Sequence, residues 1–390
     1  MPRGVKTTNP FQYGSLALDE AFANREHELA DLTADARNGQ DVVVFAPRRF
    51  GKSSLLWRAA QQLAADGVLV AQVDLMTTPT KERLAGKLAE AIFENIASVL
   101  ERAREKALGP LRGLSIQPTI RVSPDDGSLS FTFSVSREPG DIEATIERLL
   151  ELPGELGGAR GRRAVLVFDE FQEIVEIDPQ LLKSMRSVFQ RQPEVAHIYL
   201  GSKRHVMERI FDDANEPFWR SAKAIELGAI APAAFKRFIA ERFRDAGKAV
   251  PPEVTDALLE TTRGHPYATQ ELCYFLWESL EAGATASREH LTRALAGVLR
   301  AEHAHFSLLW NDLPTGQKLV IEALAAEQPA RPLTADYRRR YGLSTASSVQ
   351  KALRALANRE LIAKEEGLHS ISEPFLAEWI TANIAGPLNR

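Results

Sequence analysis

The sequence predicts an α/β fold: a parallel sheet core, then a helical region, then a C-terminal winged helix-turn-helix. Three observations carry that expectation. Short, continuous apolar runs rich in β-branched residues recur at Val42–Phe45, Val68–Val73, Ala164–Phe168 and Ala196–Leu200, as in strands buried on both faces. Helical periodicity separates them (Leu55, Leu56, Ala59, Ala60, Leu63 after the first run), which gives βαβ units and hence parallel pairing. The last eighty or so residues read as helix, tight turn with Gly342, amphipathic helix and hairpin, the order of a winged helix-turn-helix.

Along the chain, turn chemistry at Asn9-Pro10 and Gly14 gives way to a helical pattern from Leu16. The second run ends at Asp74, and a long helical segment follows over about Lys81–Leu108. Leu114, Ile116, Ile120 and Val122 then alternate with polar residues, as do Leu129, Phe131, Phe133 and Val135, around the turn Pro124-Asp125-Asp126-Gly127. That is a hairpin signature inserted into the α/β alternation. A further strand is expected at Ala224–Leu227, and only helices from Ala231 to about Ala304. The expected domains are 1–230 (α/β, with a hairpin insertion at about 112–137), 231–305 (helical lid) and 306–390 (winged helix-turn-helix). In the last, Leu308–Leu324 reads as one helix, Thr334 caps a short helix, and Leu361–Lys364 with Leu368–Ser372 form the wing.

Composition narrows the function classes. With 390 residues, 44% hydrophobic and 26% charged residues, the chain suits two or three soluble domains. A net charge of −4 provides no global field for nucleic acid, so DNA contact needs a local basic face. Cys273 is the only cysteine, which excludes an intramolecular disulfide and a cysteine-cluster metal site; within Leu272–Phe275 it reads as a small buried hydrophobe. Met1–Thr8 lacks the apolar stretch of a secretory signal, and no run approaches the ~20 apolar residues of a membrane helix. A cytoplasmic protein without a membrane partner is expected.

Directly after the first strand comes Ala46-Pro47-Arg48-Arg49-Phe50-Gly51-Lys52-Ser53-Ser54, and then a helix. This is the P-loop pattern with Ala46 in place of the first glycine. Loop amides and the positive end of the helix bind polyphosphate. Lys52 would reach the β- and γ-phosphates of a nucleotide, the Ser53 hydroxyl would coordinate Mg²⁺, and Gly51 permits close approach of backbone to phosphate. Ala46 fits provided its φ stays negative.

Ala164–Phe168 runs straight into Asp169-Glu170, two carboxylates where ligands bind in open α/β sheets. Asp169 is placed to hold Mg²⁺ and Glu170 to orient or deprotonate an attacking water. The next strand ends in Gly201-Ser202, where Ser202 could sense the γ-phosphate; a serine there is also ordinary turn chemistry. Arg220 precedes the last core strand. It would stabilise phosphoryl charge, from the same subunit or from a neighbour in a homo-oligomer, or else pack on Trp219 as a surface arginine.

Together these stretches resemble the archaeal-type ATPases of the AAA+/STAND group. The residues concerned are Asn9-Pro10-Phe11 with Gly14, Asn24-Arg25-Glu26, the loop to Ser53, Phe168-Asp169-Glu170-Phe171-Gln172, Gly201-Ser202, Phe218–Arg220 and Gly264-His265-Pro266-Tyr267. The resemblance implies a P-loop AAA+-like core, a helical lid and a winged helix, with ATP or ADP and Mg²⁺ as ligands. It places Asn24, Arg25, Glu26 and Pro266 near the adenine and His265 near the phosphates; from the residues alone, Gly264-His265-Pro266 is a loop before a helix. Ala46, Asn24 and Arg263 stand where the family has glycine.

The winged helix would offer DNA Ser347, Ser348, Gln350, Lys351 and Arg354, with Arg338–Arg340 before them, while Glu365 and Glu366 in the wing oppose it. The leading expectation is an ATP-hydrolysing switch in which lid and winged helix move with the γ-phosphate. The rivals are a nucleotide-sensing DNA-binding regulator with little hydrolysis, and a scaffold whose hairpin (Leu114–Val135) and winged helix recruit a protein effector.

Overall fold

A computed structural model describes residues 8–14, 22–94, 116–122, 129–135, 142–159 and 161–384. The expected helical start at Leu16, the end of the long segment beyond residue 94, Leu114 and the turn Pro124–Gly127 lie outside them. Packing divides the chain into two compact units: one of Arg25–Pro47 with Lys52–Leu227, the other of Arg48–Gly51, Gly228 onward and the described residues before Arg25.

The first unit is a five-stranded sheet. Its strands are β1 (Val42–Phe45), β2 (Leu69–Asp74), β5 (Ala164–Asp169), β6 (Val195–Gly201) and β7 (Lys223–Glu226), in the order β2-β5-β6-β1-β7. All four pairings are parallel. The inner strands β1, β5 and β6 are buried almost throughout, whereas β2 alternates and β7 buries only Ile225, the contrast between interior and edge strands. Asp41 fixes β6 beside β1: its Oδ1 accepts from His197 N at 2.9 Å and lies 2.9 Å from His197 Nδ1. The register sets Asp74 opposite Asp169, and Phe45 opposite Gly201. Because β6 separates β1 from β5, its C-terminal end lies between the loop strand and the acidic strand.

Helices α1 (Glu26–Arg37), α2 (Lys52–Ala65), α3 (Lys81–Ile92), α4 (Ile142–Gly158), α5 (Leu181–Phe189) and α6 (Arg204–Asp212) belong to this unit, with a single helical turn at Ile174–Ile177. α2 buries Leu55, Leu56, Ala59 and Leu63, one face at helical spacing. Strands β3 (Ile116–Val122) and β4 (Leu129–Val135) pair antiparallel, from Ile116↔Val135 to Val122↔Leu129, where the alternating pattern predicts a hairpin.

In the second unit, α7 (Pro232–Asp245), α8 (Pro252–Thr262) and α9 (Pro266–Glu278) each begin with proline, which suits the first helical turn because no amide hydrogen is lost. Phe235, Ile239, Phe243, Leu258, Leu272 and Leu276 form their buried core, joined by Cys273. The Asn9-Pro10-Phe11 segment is anchored on it. Asn9 Nδ2 donates to Tyr274 O at 3.1 Å and Glu278 Oε1 at 3.0 Å, and the Phe11 ring lies 5.2 Å from that of Phe243. α10 runs Arg288–Asp312.

The predicted single helix Leu308–Leu324 is two helices. α10 ends at Asp312, and α11 covers Thr315–Ala326 behind Pro314, a residue that cannot continue the helix before it. α12 (Ala335–Arg340), α13 (Ala346–Asn358), the wing strands β8 (Ile362–Glu365) and β9 (Leu368–Ile371) and α14 (Pro374–Asn383) follow. Thr334 stands at the N-terminus of α12 without capping it by its side chain: Oγ1 donates instead to Arg331 O at 3.0 Å. Thr345 does cap α13, accepting from Ser348 N at 3.4 Å. No described helix is long and apolar enough to cross a membrane.

Candidate functional site

The strand β1 delivers the chain at the carboxyl edge of the sheet, and α2 takes it away from Lys52. Between them Arg49 and Gly51 adopt φ of 66° and 86°, so the left-handed residues of this bend are Arg49 and Gly51. Ala46 is buried and is not among the positive-φ residues; its departure from glycine therefore needs no strained backbone.

Lys52 is 7% exposed and points at the acidic strand end. Its Nζ lies 3.1 Å from Glu170 Oε1. The other carboxylate oxygen, Oε2, accepts from Ser202 Oγ at 2.8 Å and from Gln172 Nε2 at 2.6 Å. Asp169 Oδ1 accepts the Glu170 amide at 2.9 Å. Lys52, Asp169, Glu170 and Ser202, all sequence candidates, are thus brought together by three adjacent strand ends. Glu170 has φ of 52°, an uncommon conformation for a non-glycine residue and a mark of a constrained site. Burial pushes its carboxyl up, but Lys52, Gln172 and Ser202 outweigh it and hold the group below the usual carboxylate range. Asp169 goes the other way: burial raises it, Glu170 and Asp74 add to the rise, and Lys52 opposes. The two neighbouring acids are therefore pushed apart, Glu170 down and Asp169 up.

Ser53 is exposed in the first turn of α2, and Ser54 is buried. With Asp169 it offers a hydroxyl and a carboxylate, hard oxygen donors of the kind Mg²⁺ takes while keeping waters and phosphate oxygens. No group of three or more His, Cys, Asp or Glu among the described residues could hold a metal. The Ser53 and Asp169 oxygens fit an ion carried in with a nucleotide.

The loop tip, Arg48–Gly51, groups with the second unit. Arg48 Nε is 2.8 Å from Glu360 Oε2, and Arg49 is 3.5 Å from Glu373 Oε2 and 4.3 Å above the Tyr267 ring. The Phe50 and His265 rings meet edge-on at 4.6 Å. His265 caps α9, its Nδ1 accepting from Ala268 N at 3.2 Å. Burial, with Arg49 and Arg263 nearby, lowers its pKa to about 3, so the ring is neutral at pH 7. Pro266 is the first residue of α9.

The remaining candidates sit on other elements. Asn24 and Arg25 have φ of 60° and 84°, and Arg25 pairs with Glu28 at 2.8 Å ahead of α1. Glu26 opens that helix. Arg263 has φ of 51° at the end of α8. Asn24 and Arg263 thus occupy the left-handed region, which glycine adopts without steric cost. Arg220, at φ 50°, is exposed with its guanidinium 5.4 Å from the Trp219 ring. Gln172, which donates to Glu170, has no role assigned from the sequence; the signal there is its place in the stretch Phe168-Asp169-Glu170-Phe171-Gln172, two residues after the acid.

Residues 22–272 match a family described as the ATPase domain predominantly from Archaea. The chain belongs to that family. Residues 304–382 match a probable winged helix domain. Among solved structures, the archaeal-type ATPase fold resembles the Walker-type ATPase of Pyrococcus abyssi at 17% identity and a TM-score of 0.66, covering 94% of this chain and 97% of that one. It also resembles the Aeropyrum pernix ORC2 protein in its ADPNP–ADP complexes at 13% identity and a TM-score of 0.53, covering 96% and 99%. Among curated proteins, none matches the chain in sequence. The fold is that of a P-loop ATPase of the AAA+-like class.

Proposed function

We propose that this archaeal-type ATPase binds Mg²⁺-ATP at the loop Ala46–Ser54 and hydrolyses it slowly, as a switch of the STAND kind whose nucleotide state sets the position of lid and winged helix. The observation that carries the reading is the meeting of Lys52, Glu170 and Ser202 at the ends of β1, β5 and β6, with Lys52 Nζ 3.1 Å from Glu170 Oε1 and Ser202 Oγ 2.8 Å from Oε2.

Each residue then has a physical task. A triphosphate offers Lys52 several formal negative charges in place of one carboxylate, so the ammonium turns to the β- and γ-phosphates and leaves Glu170 Oε1 free. Glu170, still hydrogen-bonded at Oε2 by Gln172 and Ser202, accepts the proton of the attacking water. Ser202 is near enough to Glu170 to report on the γ-phosphate once it is in place. Ser53 and Asp169 would hold the magnesium, whose chemistry is to neutralise charge developing on the phosphoryl oxygens. Arg220 adds a further cation, from this subunit or from a neighbour in a homo-oligomer. Asn24–Glu26 and Pro266 bound the adenine and His265, as a neutral ring, lies toward the phosphates. The Aeropyrum pernix ORC2 protein, solved as ADPNP–ADP complexes, supports ATP and ADP as the ligands. The domain reading remains 1–230, 231–305 and 306–390, with the γ-phosphate coupling them through ordered contacts.

The test is nucleotide binding and phosphate release by wild type and Lys52→Ala. Loss of both in the variant supports the assignment; equal binding and equal release contradict it.

A second reading, DNA binding through the winged helix, is favoured by one observation. Gln350, Lys351 and Arg354 are all exposed on α13, beside the buried seam of Val349, Ala352, Leu353 and Leu356. Such a face offers phosphate and base contacts. A duplex-binding isotherm whose salt slope falls by about 2 in the Lys351→Ala/Arg354→Ala variant supports it; no duplex binding at low salt removes it and leaves a protein effector as the partner.

A further inference from the structure

Resting on the reading of Glu170 as the group that directs water, we propose that Gln172 is a positioning residue: its amide clamps one oxygen of the Glu170 carboxylate, so that the other, released when Lys52 turns to polyphosphate, is presented to the water in a fixed direction.

The two oxygens of Glu170 are held differently. Oε2 takes two neutral donors, Gln172 Nε2 at 2.6 Å and Ser202 Oγ at 2.8 Å. Oε1 takes Lys52 at 3.1 Å, the one cation of the three and so the partner drawn most strongly to phosphate. Losing Lys52 therefore frees a single oxygen. Without the clamp, Oε2 keeps only the Ser202 hydroxyl, and the carboxylate turns more easily about its last bond, which weakens its alignment with the water.

The clamp is rigid because its base is. Gln172 belongs to a 3₁₀ turn, Phe171–Glu173, that follows the left-handed Glu170. Phe171 is fully buried, with ring centroids of Tyr199, Phe218 and Phe211 at 4.6, 5.6 and 5.9 Å. Gln172 itself is 2% exposed. Its amide nitrogen must face Glu170, since the reverse orientation would set a carbonyl against a carboxylate oxygen.

That orientation carries a cost which a space-filling residue would avoid. Gln172 Oε1 is buried without a hydrogen-bond partner, a state that costs the desolvation of the carbonyl with nothing in return. A methionine of similar shape would fill the site with no such penalty, so the polar head is retained for what its nitrogen does. Gly201 is fitted to it as well. A methyl group at residue 201 would come 2.8 Å from Gln172 Oε1 and 2.4 Å from Met207 Cγ, so the bare glycine leaves the amide its room.

The test uses the full-length chain with Gln172→Met, alone and in a Glu170→Gln background, reading kcat for phosphate release, nucleotide Kd and thermal midpoint. The expected result is a kcat about 10- to 100-fold lower, Kd within about 3-fold, an unlowered midpoint, and no further loss in the Glu170→Gln background. An unchanged kcat, or an equal drop in both backgrounds, overturns the proposal. If Gln172→Met folds poorly, Gln172→Asn, whose amide is one methylene too short to reach, carries the same expectations. Absence of phosphate release by wild type would sink the hydrolytic reading itself, and the role of Gln172 with it; wild-type turnover with an unimpaired Gln172→Met sinks only the role of Gln172.

Discussion

Lys52 Nζ and Glu170 Oε1 are 3.1 Å apart although 118 positions separate the two residues in the chain. Both side chains are mostly buried, at 7% and 16% exposed, so each satisfies a charge the other would otherwise leave uncompensated.

Ligand stabilisation follows from that exchange of partners. Mg²⁺-ATP, and inorganic triphosphate with Mg²⁺, should each raise the thermal midpoint of wild type by about 5–10 °C at 100 times Kd, from about 2.7 kcal/mol of linkage. In Lys52→Ala the shift should vanish. Scanning fluorimetry of both proteins with each ligand checks this, and an equal shift in the variant would place polyphosphate elsewhere.

A second prediction concerns Glu271. It is 1% exposed, and both its carboxylate oxygens lack a partner. Burial, with Glu302 and Glu373 adding and Arg49 opposing, raises its pKa from 4.5 to about 8. A carboxyl raised on folding contributes stability that is complete below its unfolded value and is lost as pH rises through its folded value. The window is therefore about pH 4.5 to 8. Glu271→Gln should leave the thermal midpoint nearly unchanged at pH 4.5 and raise it by about 3–10 °C at pH 8.5. Melting curves across that range decide it; a variant less stable than wild type at pH 8.5 would mean that the carboxylate has an ionic task.

His265 titrates with the opposite sign. Burial, first, and then Arg49 and Arg263 lower its pKa from 6.5 to about 3. Its contribution is present above pH 6.5 and lost as pH falls toward 3. Asparagine also caps helices, so His265→Asn should be within about 1 kcal/mol of wild type at pH 8 and gain on it steadily below pH 6. Denaturant unfolding at pH 8 and pH 4 measures both; a constant difference at the two pH values would show that the ring is not held neutral by its surroundings.

Gly201→Ala supplies a steric prediction. The added methyl would lie 2.4 Å from Met207 Cγ and 2.5 Å from its Sδ, which demands repacking at about 1–3 kcal/mol. A drop of that size in unfolding free energy is expected, with none at Gly228→Ala, where nothing lies within 4 Å of the added carbon.

Much of this architecture is written locally. Val42–Phe45, Ala164–Asp169 and Val195–Gly201 are buried strands because an unbroken apolar run has no solvent face to offer. The loop and the acid pair were legible because a strand before and a helix after give Lys52 and Glu170 one edge of the sheet. What escaped the sequence depends on contacts between distant segments. Asn9 Oδ1 accepts from Phe11 N close by in the chain at 3.1 Å, but its amide nitrogen reaches Tyr274 and Glu278, which no local pattern shows. Gln172 becomes a clamp only because Glu170 turns left-handed at φ 52°. Thr334 has a capping residue's chemistry but turns to Arg331 O, while Pro314 carried a visible stop signal that the apolar periodicity of Leu308–Leu324 overrode.

The most direct test of the central claim is single-turnover phosphate release from Mg²⁺-ATP by Glu170→Gln, with nucleotide affinity measured on the same sample. The amide keeps the shape of Glu170 but cannot take a proton from water, so affinity should stay within about 3-fold of wild type while the release rate falls by about 100-fold or more. Release at the wild-type rate with affinity intact would show that the carboxylate beside Lys52 does not direct the water, and would contradict the account.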